Sequence, residues 1–281
     1  MEPKANPSVK GVLKAEAGLS RFSLQCYEPA RELTPFIEHY WFVRWDLSGQ
    51  PPYPQTVLSH PSVHLTFEQE ASRPVFSGVY GVPSQTYTRT LRNRGATLGV
   101  KFHPGGFYPW RPQPVSQFTD RTISIREALG YDPRTLEKHI FEQHDGESMA
   151  KLAENFLLEY LPEPDESVAF IRRIVQAVID DRKITKVEQI TESFGIGARS
   201  LQRLFGRYVG VSPKWIIQRY RLQEAAMLLE QGGRIDGAAL AQELGFYDQA
   251  HFIKQFKAII GRTPEEYAKF EYIQKDATRR T

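Results

Sequence analysis

The spacing of hydrophobic and polar positions divides the chain into a β-rich part and a helical part. From residue 20 to about 120, short runs of β-branched and aromatic residues alternate with breaks rich in proline and glycine. The clearest runs are Phe36 to Trp45, Val63 to Phe67, Thr86 to Leu91 and Ala96 to Phe102. Short strands with frequent turns favour a small barrel or a sandwich.

After about residue 121 the apolar spacing becomes helical. Short helices are predicted over 125–129, 136–141 and 149–160. Leu161 to Ser167 then interrupts the pattern with two prolines and three acidic residues, which is typical of a linker. Beyond this segment, the spacing predicts helices almost continuously to about residue 270.

The helical part contains one pattern twice, 51 residues apart. Each copy has a short helix, a glycine turn at Gly195 or Gly245, and a second helix, which together predict a helix-turn-helix. Between the copies, Lys214 to Glu230 predicts a helix of ~25 Å at 1.5 Å per residue. Such a rod suits two recognition helices about one DNA turn, ~34 Å, apart.

The second helix of the first copy is amphipathic. Its predicted inner side consists of Leu201, Leu204, Phe205 and Tyr208. Its outer side carries Arg199, Gln202, Arg203 and Arg207. Arg and Gln can make paired hydrogen bonds with guanine and adenine edges in the major groove, so this helix is a candidate DNA reader.

Composition is ordinary for a globular protein, with 41% hydrophobic and 25% charged residues among 281. The single cysteine, Cys26, excludes an internal disulfide and an all-cysteine zinc site, so we expect a cytoplasmic protein. No apolar run reaches the ~18 residues of a membrane span. Residues 168–281 carry a net charge of +6 and residues 1–167 a net charge of −3, as expected for a nucleic-acid-binding part joined to a regulatory part.

Residues 168–270 resemble the DNA-binding domain of the AraC/XylS family of bacterial transcription regulators. The likeness is carried by the linking helix and the second copy: Arg221-Leu222, Ala225, Leu228-Leu229, Leu240 to Phe246, Asp248-Gln249, Phe252, Phe256-Lys257, Gly261, Thr263-Pro264, Glu266 and Tyr267. The resemblance implies two helix-turn-helix units that insert one helix each into adjacent major-groove segments of double-stranded DNA. The sequence departs from the family pattern in the first copy. There Thr191 occupies the position that the small residue Ala241 occupies in the second copy.

By this resemblance, base contacts fall to two groups of residues, one in each unit. They are Arg199, Gln202 and Arg203 in the first unit, and Gln249, Ala250, Ile253 and Lys254 in the second. We expect phosphate contacts from Arg207, Lys214 and Lys257. Because Ala250 and Ile253 lack hydrogen-bonding groups, the second unit is expected to rely more on methyl contacts or on DNA shape.

Residues 20–130 resemble, more weakly, a β-barrel domain of unknown function found before this DNA-binding domain in some regulators. The family precedent is a sensor of a small effector or a partner protein, and family analogy adds RNA polymerase, activation and a homodimer through helices 121–160. The candidate pocket residues are aromatic: Tyr40, Trp41, Trp45, Tyr87 and Trp110. Packing within the core is an equal alternative for each of them.

The histidines of this part allow a second interpretation. His60, His64 and His103, with Glu68, resemble the metal ligands of a cupin, which would make the chain a metal-dependent enzyme fused to a DNA-binding domain. Pro61 interrupts the strand that would align them, so we expect no metal, no cofactor and no enzyme. The single cysteine disfavours a DNA-repair methyltransferase. The outward Arg, Gln and Lys residues that the chain retains disfavour an adaptor that has lost DNA binding.

The sequence thus predicts an α+β protein. Its expected order is a disordered leader (1–19), a sensor domain (20–160), a linker (161–167), the DNA-binding domain (168–270) and a tail (271–281). The sensor domain is expected to combine a small, cupin-like β-barrel (20–120) with trailing helices (121–160). The DNA-binding domain is expected to be all-α, with two helix-turn-helix units joined by a long helix.

Overall fold

A computed structural model describes residues 20–57, 60–231 and 237–269. The predicted leader (1–19) and the whole predicted tail (271–281) lie outside these ranges. Eight strands and nine α-helices are described, in an α+β arrangement that confirms the predicted fold class. Within the described part, the strands come first and the helices follow.

The strands form two antiparallel sheets. The strands are β1 (Phe22–Tyr27), β2 (Ile37–Leu47), β3 (Tyr53–Val57), β4 (His64–Glu70), β5 (Phe76–Tyr80), β6 (Tyr87–Leu91), β7 (Asn93–Phe102) and β8 (Thr122–Ile123). Six of them pair in the order β1-β2-β7-β4-β5-β8, and β3 pairs with β6 in a separate ribbon. Four of the eight strands, β1, β3, β5 and β8, are absent from the clearest apolar runs because their apolar stretches are short.

Alternation along the strands gives the large sheet two different faces. Tyr40, Phe42, Leu98 and Val100 belong to one buried hydrophobic cluster on the outer face. Helices cover this face; α3 (Gly146–Glu159) packs on β2 and β7. The opposite face and the β3–β6 ribbon together line a cavity. The predicted barrel is therefore built from two sheets that enclose a space between them.

The helices begin and end within a few residues of the predicted positions. They are α1 (Ile125–Leu129), α2 (Arg134–Phe141), α3, α4 (Glu166–Asp180), α5 (Val187–Phe194), α6 (Ala198–Tyr208), α7 (Pro213–Gln231), α8 (Gly237–Glu243) and α9 (Gln249–Ile260). Helix α4 begins inside the predicted linker, because Asp165 caps it by accepting a hydrogen bond from the Ser167 amide at 2.8 Å.

The first helix-turn-helix is packed directly on the barrel. Leu201 and Phe205 of α6 are fully buried in the same hydrophobic cluster as the barrel residues Leu65 and Phe102. The second helix-turn-helix has a separate cluster, formed by residues of α7, α8 and α9 together with Tyr267. Trp215 of α7 packs against both clusters.

The shared cluster predicts coupled unfolding of the barrel and the first unit. Phe205→Ala should lower the free energy of unfolding by ~3–5 kcal/mol, because it leaves a cavity where a fully buried ring was. Helical circular dichroism and tryptophan fluorescence should still change at one midpoint. The control is Phe76→Ala, at a ring that is 41% exposed, for which we expect a much smaller loss. A helical transition that precedes the fluorescence change would contradict a shared core.

Candidate functional site

Glycines form the sharp turn of each helix-turn-helix. Gly195 ends α5 with φ of 62°, and the next amide, Ile196, donates back to the Thr191 carbonyl at 3.2 Å. Gly245 has φ of 77°, and the Phe246 amide donates back to Ala241 at 2.9 Å. Left-handed backbone of this kind favours glycine, so the equivalent positions of the repeat have a common physical cause.

Each recognition helix, α6 and α9, is held by its apolar side. On α6, the buried residues are Leu201 and Phe205. Phe252 and Phe256 are buried under α9, where their rings contact each other with centroids 5.6 Å apart. Helix α9 is capped by Asp248, whose carboxylate accepts a hydrogen bond from the His251 amide at 2.7 Å.

The residues expected to contact bases are all exposed on these two helices. They are Arg199, Gln202 and Arg203 on α6, and Gln249, Ala250, Ile253 and Lys254 on α9. In both helices they occupy the first two turns, which is the part that reaches base edges in helix-turn-helix proteins. The structure therefore presents two polar surfaces of similar design, and the α6 surface is richer in paired hydrogen-bond donors.

The three residues expected to contact phosphates are also exposed, but one has another partner. Lys214 lies near the start of α7, and Lys257 in the last turn of α9. Arg207 donates a hydrogen bond to the Tyr108 hydroxyl, and its guanidinium lies 4.9 Å from the Tyr108 ring centroid. In this arrangement Arg207 joins α6 to the barrel domain, a role that its sequence position did not indicate.

Helix α7 is fixed by a buried arginine. The Arg221 guanidinium donates to the carbonyls of Val178 and Asp181 and to the carboxylate of Glu224. Burial lowers the pKa of Arg221, and the Glu224 carboxylate opposes that effect. The sequence carried this signal only as part of the Arg221-Leu222 motif. Arg221 thus ties the linking helix to the C-terminal end of α4.

The loop before β6 joins the barrel to the linking helix α7 and to the second helix-turn-helix unit. The Trp215 indole on α7 donates a hydrogen bond to the Ser84 carbonyl at 3.0 Å. The amide and hydroxyl of Thr86 both donate to the Ala258 carbonyl of α9 at 3.2 Å. Ser84, Gln85 and Thr86 also line the cavity of the barrel. One loop is therefore shared by the cavity wall and the DNA-binding helices.

The cavity measures about 640 Å³, within the ~300–1,000 Å³ of small-molecule sites. Trp41, Trp45 and Tyr87 line it, whereas two other predicted pocket residues lie elsewhere. Tyr40 is fully buried on the opposite face of β2, because neighbouring residues of a strand point to opposite sides. Trp110 packs edge-on against Phe36 and Phe102, with ring centroids 5.0 and 5.4 Å away.

Polar side chains in the cavity are largely paired. Arg89 and Glu68 form an ion pair of 2.8 Å, and Glu68 also accepts hydrogen bonds from Thr66 at 3.1 Å and Tyr80 at 2.8 Å. Lys101 pairs with Glu38 at 3.0 Å. Burial lowers the pKa of His64 to about 3, so its imidazole is neutral near pH 7.

The three histidines considered as metal ligands do not form one site. His60 and His64 line the cavity, but His103 does not, and its amide donates to the Phe36 carbonyl at 2.8 Å. Burial lowers the pKa of His103 to about 4, helped by the positive charge of Arg172. Across the residues that the structure describes, no group of three or more His, Cys, Asp and Glu side chains is placed to hold a metal ion.

Comparison with known families matches both parts of the chain. Residues 25–124 match a family described as a domain of unknown function (DUF6597). Residues 190–269 match a family described as a helix-turn-helix domain. The C-terminal part therefore carries an AraC-type helix-turn-helix domain, and the N-terminal part carries this domain of unknown function.

The relatives with curated descriptions are similar over part of their length. An uncharacterized HTH-type transcriptional regulator of Haemophilus influenzae is 35% identical over 83 residues, which is 30% of this chain and 28% of the relative. The Msm operon regulatory protein of Streptococcus mutans is 26% identical over 123 residues, 43% of this chain and 44% of the relative. The chain thus covers less than half of either relative.

Among solved structures, the chain is similar to ToxT from Vibrio cholerae. The two chains are 11% identical, with 90% of this chain and 98% of ToxT covered and a TM-score of 0.36. Separately, no helix within the described residues is long and apolar enough to cross a membrane.

The cap of α9 gives a direct test of how the second recognition helix is held. Asp248→Ala should reduce the free energy of unfolding by ~0.5–2 kcal/mol, because the His251 amide loses its acceptor. Asp248→Asn, which keeps an acceptor oxygen, should remain close to wild type. Thermal unfolding followed by circular dichroism measures both. A wild-type midpoint for the Ala variant would show that this cap does not hold the helix.

Proposed function

We propose that the chain is a sequence-specific, DNA-binding transcription regulator of the bacterial cytoplasm. Helices α6 and α9 insert into adjacent major-groove segments of one DNA duplex. The observation that carries this proposal is the pair of exposed polar surfaces on two helix-turn-helix units of matching design. The matched helix-turn-helix family and the regulators among the relatives support it.

The two recognition helices have unequal roles in this proposal. On α6, Arg203 and Arg199 pair with guanine edges, and Gln202 pairs with adenine. On α9, Gln249 and Lys254 supply polar contacts, while Ala250 and Ile253 contact thymine methyl groups. A reader with different ends suits a directional site rather than a palindrome.

The barrel domain acts as the regulatory part. A molecule in the cavity would touch the wall formed by Ser84, Gln85 and Thr86, and two of these residues hold helices: Ser84 binds Trp215 of α7, and Thr86 binds Ala258 of α9. Occupancy of the cavity would therefore change how the second unit is held against the barrel. Contact with RNA polymerase and assembly as a homodimer rest on family analogy and complete the proposal.

Replacement of one base-reading arginine tests the DNA contact most simply. A duplex selected from a random library by the full-length protein serves as the probe. Arg203→Ala should weaken binding to this duplex by ~1–3 kcal/mol and relax the preference at one position, because paired hydrogen bonds to a base are lost. Fluorescence anisotropy measures the affinity, and a second selection measures the preference.

The matched control for this substitution is Arg134→Ala, on α2 of the barrel domain. The Arg134 side chain is 82% exposed, and the same charge is removed far from both recognition helices in sequence. We expect its affinity for the selected duplex to stay within twofold of wild type. Equal losses for Arg203→Ala on the selected duplex and on a scrambled one would contradict base reading by Arg203.

A phosphate contact predicts a different pattern from a base contact. Lys214→Ala should weaken binding to selected and scrambled duplexes alike, and it should reduce the slope of log affinity against log salt by about 1, because one fewer counterion is released. The affinity is measured at several salt concentrations between roughly 50 and 200 mM, and these values define the slope. An unchanged slope would remove Lys214 from the DNA contact.

A further inference from the structure

Two tryptophans of β2 stand opposite two glycines of β7 on the cavity face of the sheet. The cross-strand pairs are Trp41 with Gly99 and Trp45 with Gly95. A methyl group added at Gly99 would lie 2.0 Å from Trp41 Cε2, and one at Gly95 would lie 2.2 Å from Trp45 Cζ2. Each indole therefore occupies the space left by its glycine and lies against the neighbouring strand.

Both indoles are fixed through their N–H groups. Trp41 donates to His64 Nδ1 at 3.2 Å, and Trp45 donates to the Arg92 carbonyl at 3.0 Å. The Arg89 guanidinium lies 5.7 Å from the Trp45 ring centroid, and Trp45 is only 2% exposed. Trp41 is half-buried and lines the cavity, so its ring is the more accessible flat surface. A fixed and accessible indole is suited to stacking against another aromatic ring.

The charges around this surface favour an uncharged molecule. Two cations of the lining are not exposed, and both have counter-charges, Arg89 in Glu68 and Lys101 in Glu38, whereas the third, Arg121, is exposed to solvent. A carboxylate or an amine entering the cavity would have to break one of these pairs or remain unpaired in a buried site. Either outcome is unfavourable, because a charge that is buried without a partner loses its hydration and gains nothing in return.

Two side chains supply hydrogen bonds for a polar atom of such a molecule. Because His64 is neutral and its Nδ1 accepts from Trp41, its proton is on Nε2, which is a donor. Thr97 lines the cavity, and its hydroxyl is buried with no hydrogen-bond partner among the described residues. Buried polar groups are normally paired, so this hydroxyl is a further candidate contact.

We propose that the barrel cavity binds an uncharged, planar aromatic molecule that stacks on the Trp41 indole and accepts a hydrogen bond from His64 Nε2. This inference rests on the proposed function, because it names the chemical class of the effector that the barrel domain would bind. The size of the cavity, the flat indole and the paired charges carry it. Whether the molecule alters DNA binding is a separate question.

Two fluorescent probes with the same aromatic skeleton test the class. N-phenyl-1-naphthylamine is uncharged, and 1-anilinonaphthalene-8-sulfonate adds one sulfonate. Titration of the full-length protein with each probe should show one saturable site, with the uncharged probe bound at least tenfold more tightly. Energy transfer from tryptophan to the probe provides the signal. Equal affinities, or tighter binding of the sulfonate, would overturn the uncharged class.

Substitutions locate the site. Trp41→Leu removes the stacking surface, and Val43→Phe fills the cavity from the same face of β2; each should weaken binding of N-phenyl-1-naphthylamine at least tenfold. Tyr247→Leu is the matched control, because this aromatic ring is 93% exposed on the DNA-binding domain, and its affinity should be unchanged. Thermal unfolding checks that each variant is folded. If Trp41→Leu does not fold, the affinity of Val43→Phe for the probe tests the site instead. Wild-type affinity in a folded variant of either kind would overturn the site.

Binding to the selected duplex, measured on the same preparations, separates the two proposals. Probe binding without DNA binding would refute the proposed function and leave the cavity assignment intact. DNA binding without probe binding would refute the cavity assignment alone.

Discussion

The structure depends on the burial of α6 against the barrel domain. Phe205 and Leu201 close one hydrophobic cluster that continues into the strands. Polar contacts at the edge fix the orientation: Thr119 Oγ1 donates to the Gly210 carbonyl at 2.7 Å, and the Tyr208 hydroxyl donates to the Asp165 carboxylate at 2.8 Å. Because apolar burial dominates the free energy of such contacts, the first reading helix is held as part of the barrel.

The second recognition helix, α9, is held differently, and the proposed regulation depends on this difference. Its apolar residues form their own cluster, and Trp215 packs against both clusters. Two hydrogen bonds from Thr86 join α9 to the barrel, and one from Trp215 to Ser84 joins α7 to it, through a loop that also lines the cavity. A few hydrogen bonds of ~0.5–1.5 kcal/mol each are weak enough for a bound molecule to shift.

Much of the helical part could be predicted from the sequence, because helix periodicity, glycine turns and caps are local signals. The barrel was harder, because cross-strand neighbours depend on topology: β7 pairs with β2 only after four intervening strands. The Trp41–Gly99 pair and the position of Tyr40 follow from that register, whereas Trp110 lies outside the strands. Likewise, Arg207 carried the signature of a phosphate contact, and only the docked barrel shows its bond to Tyr108.

The central claim is that one polypeptide reads two neighbouring major-groove segments with two unequal helices. Hydroxyl-radical footprinting of the full-length protein on its selected duplex tests this most directly. The account predicts that each bound copy protects two segments on one face of the DNA, about one helical turn or ~10 base pairs apart, with no twofold symmetry between them. A single protected segment, or two segments related by a palindrome, would contradict it.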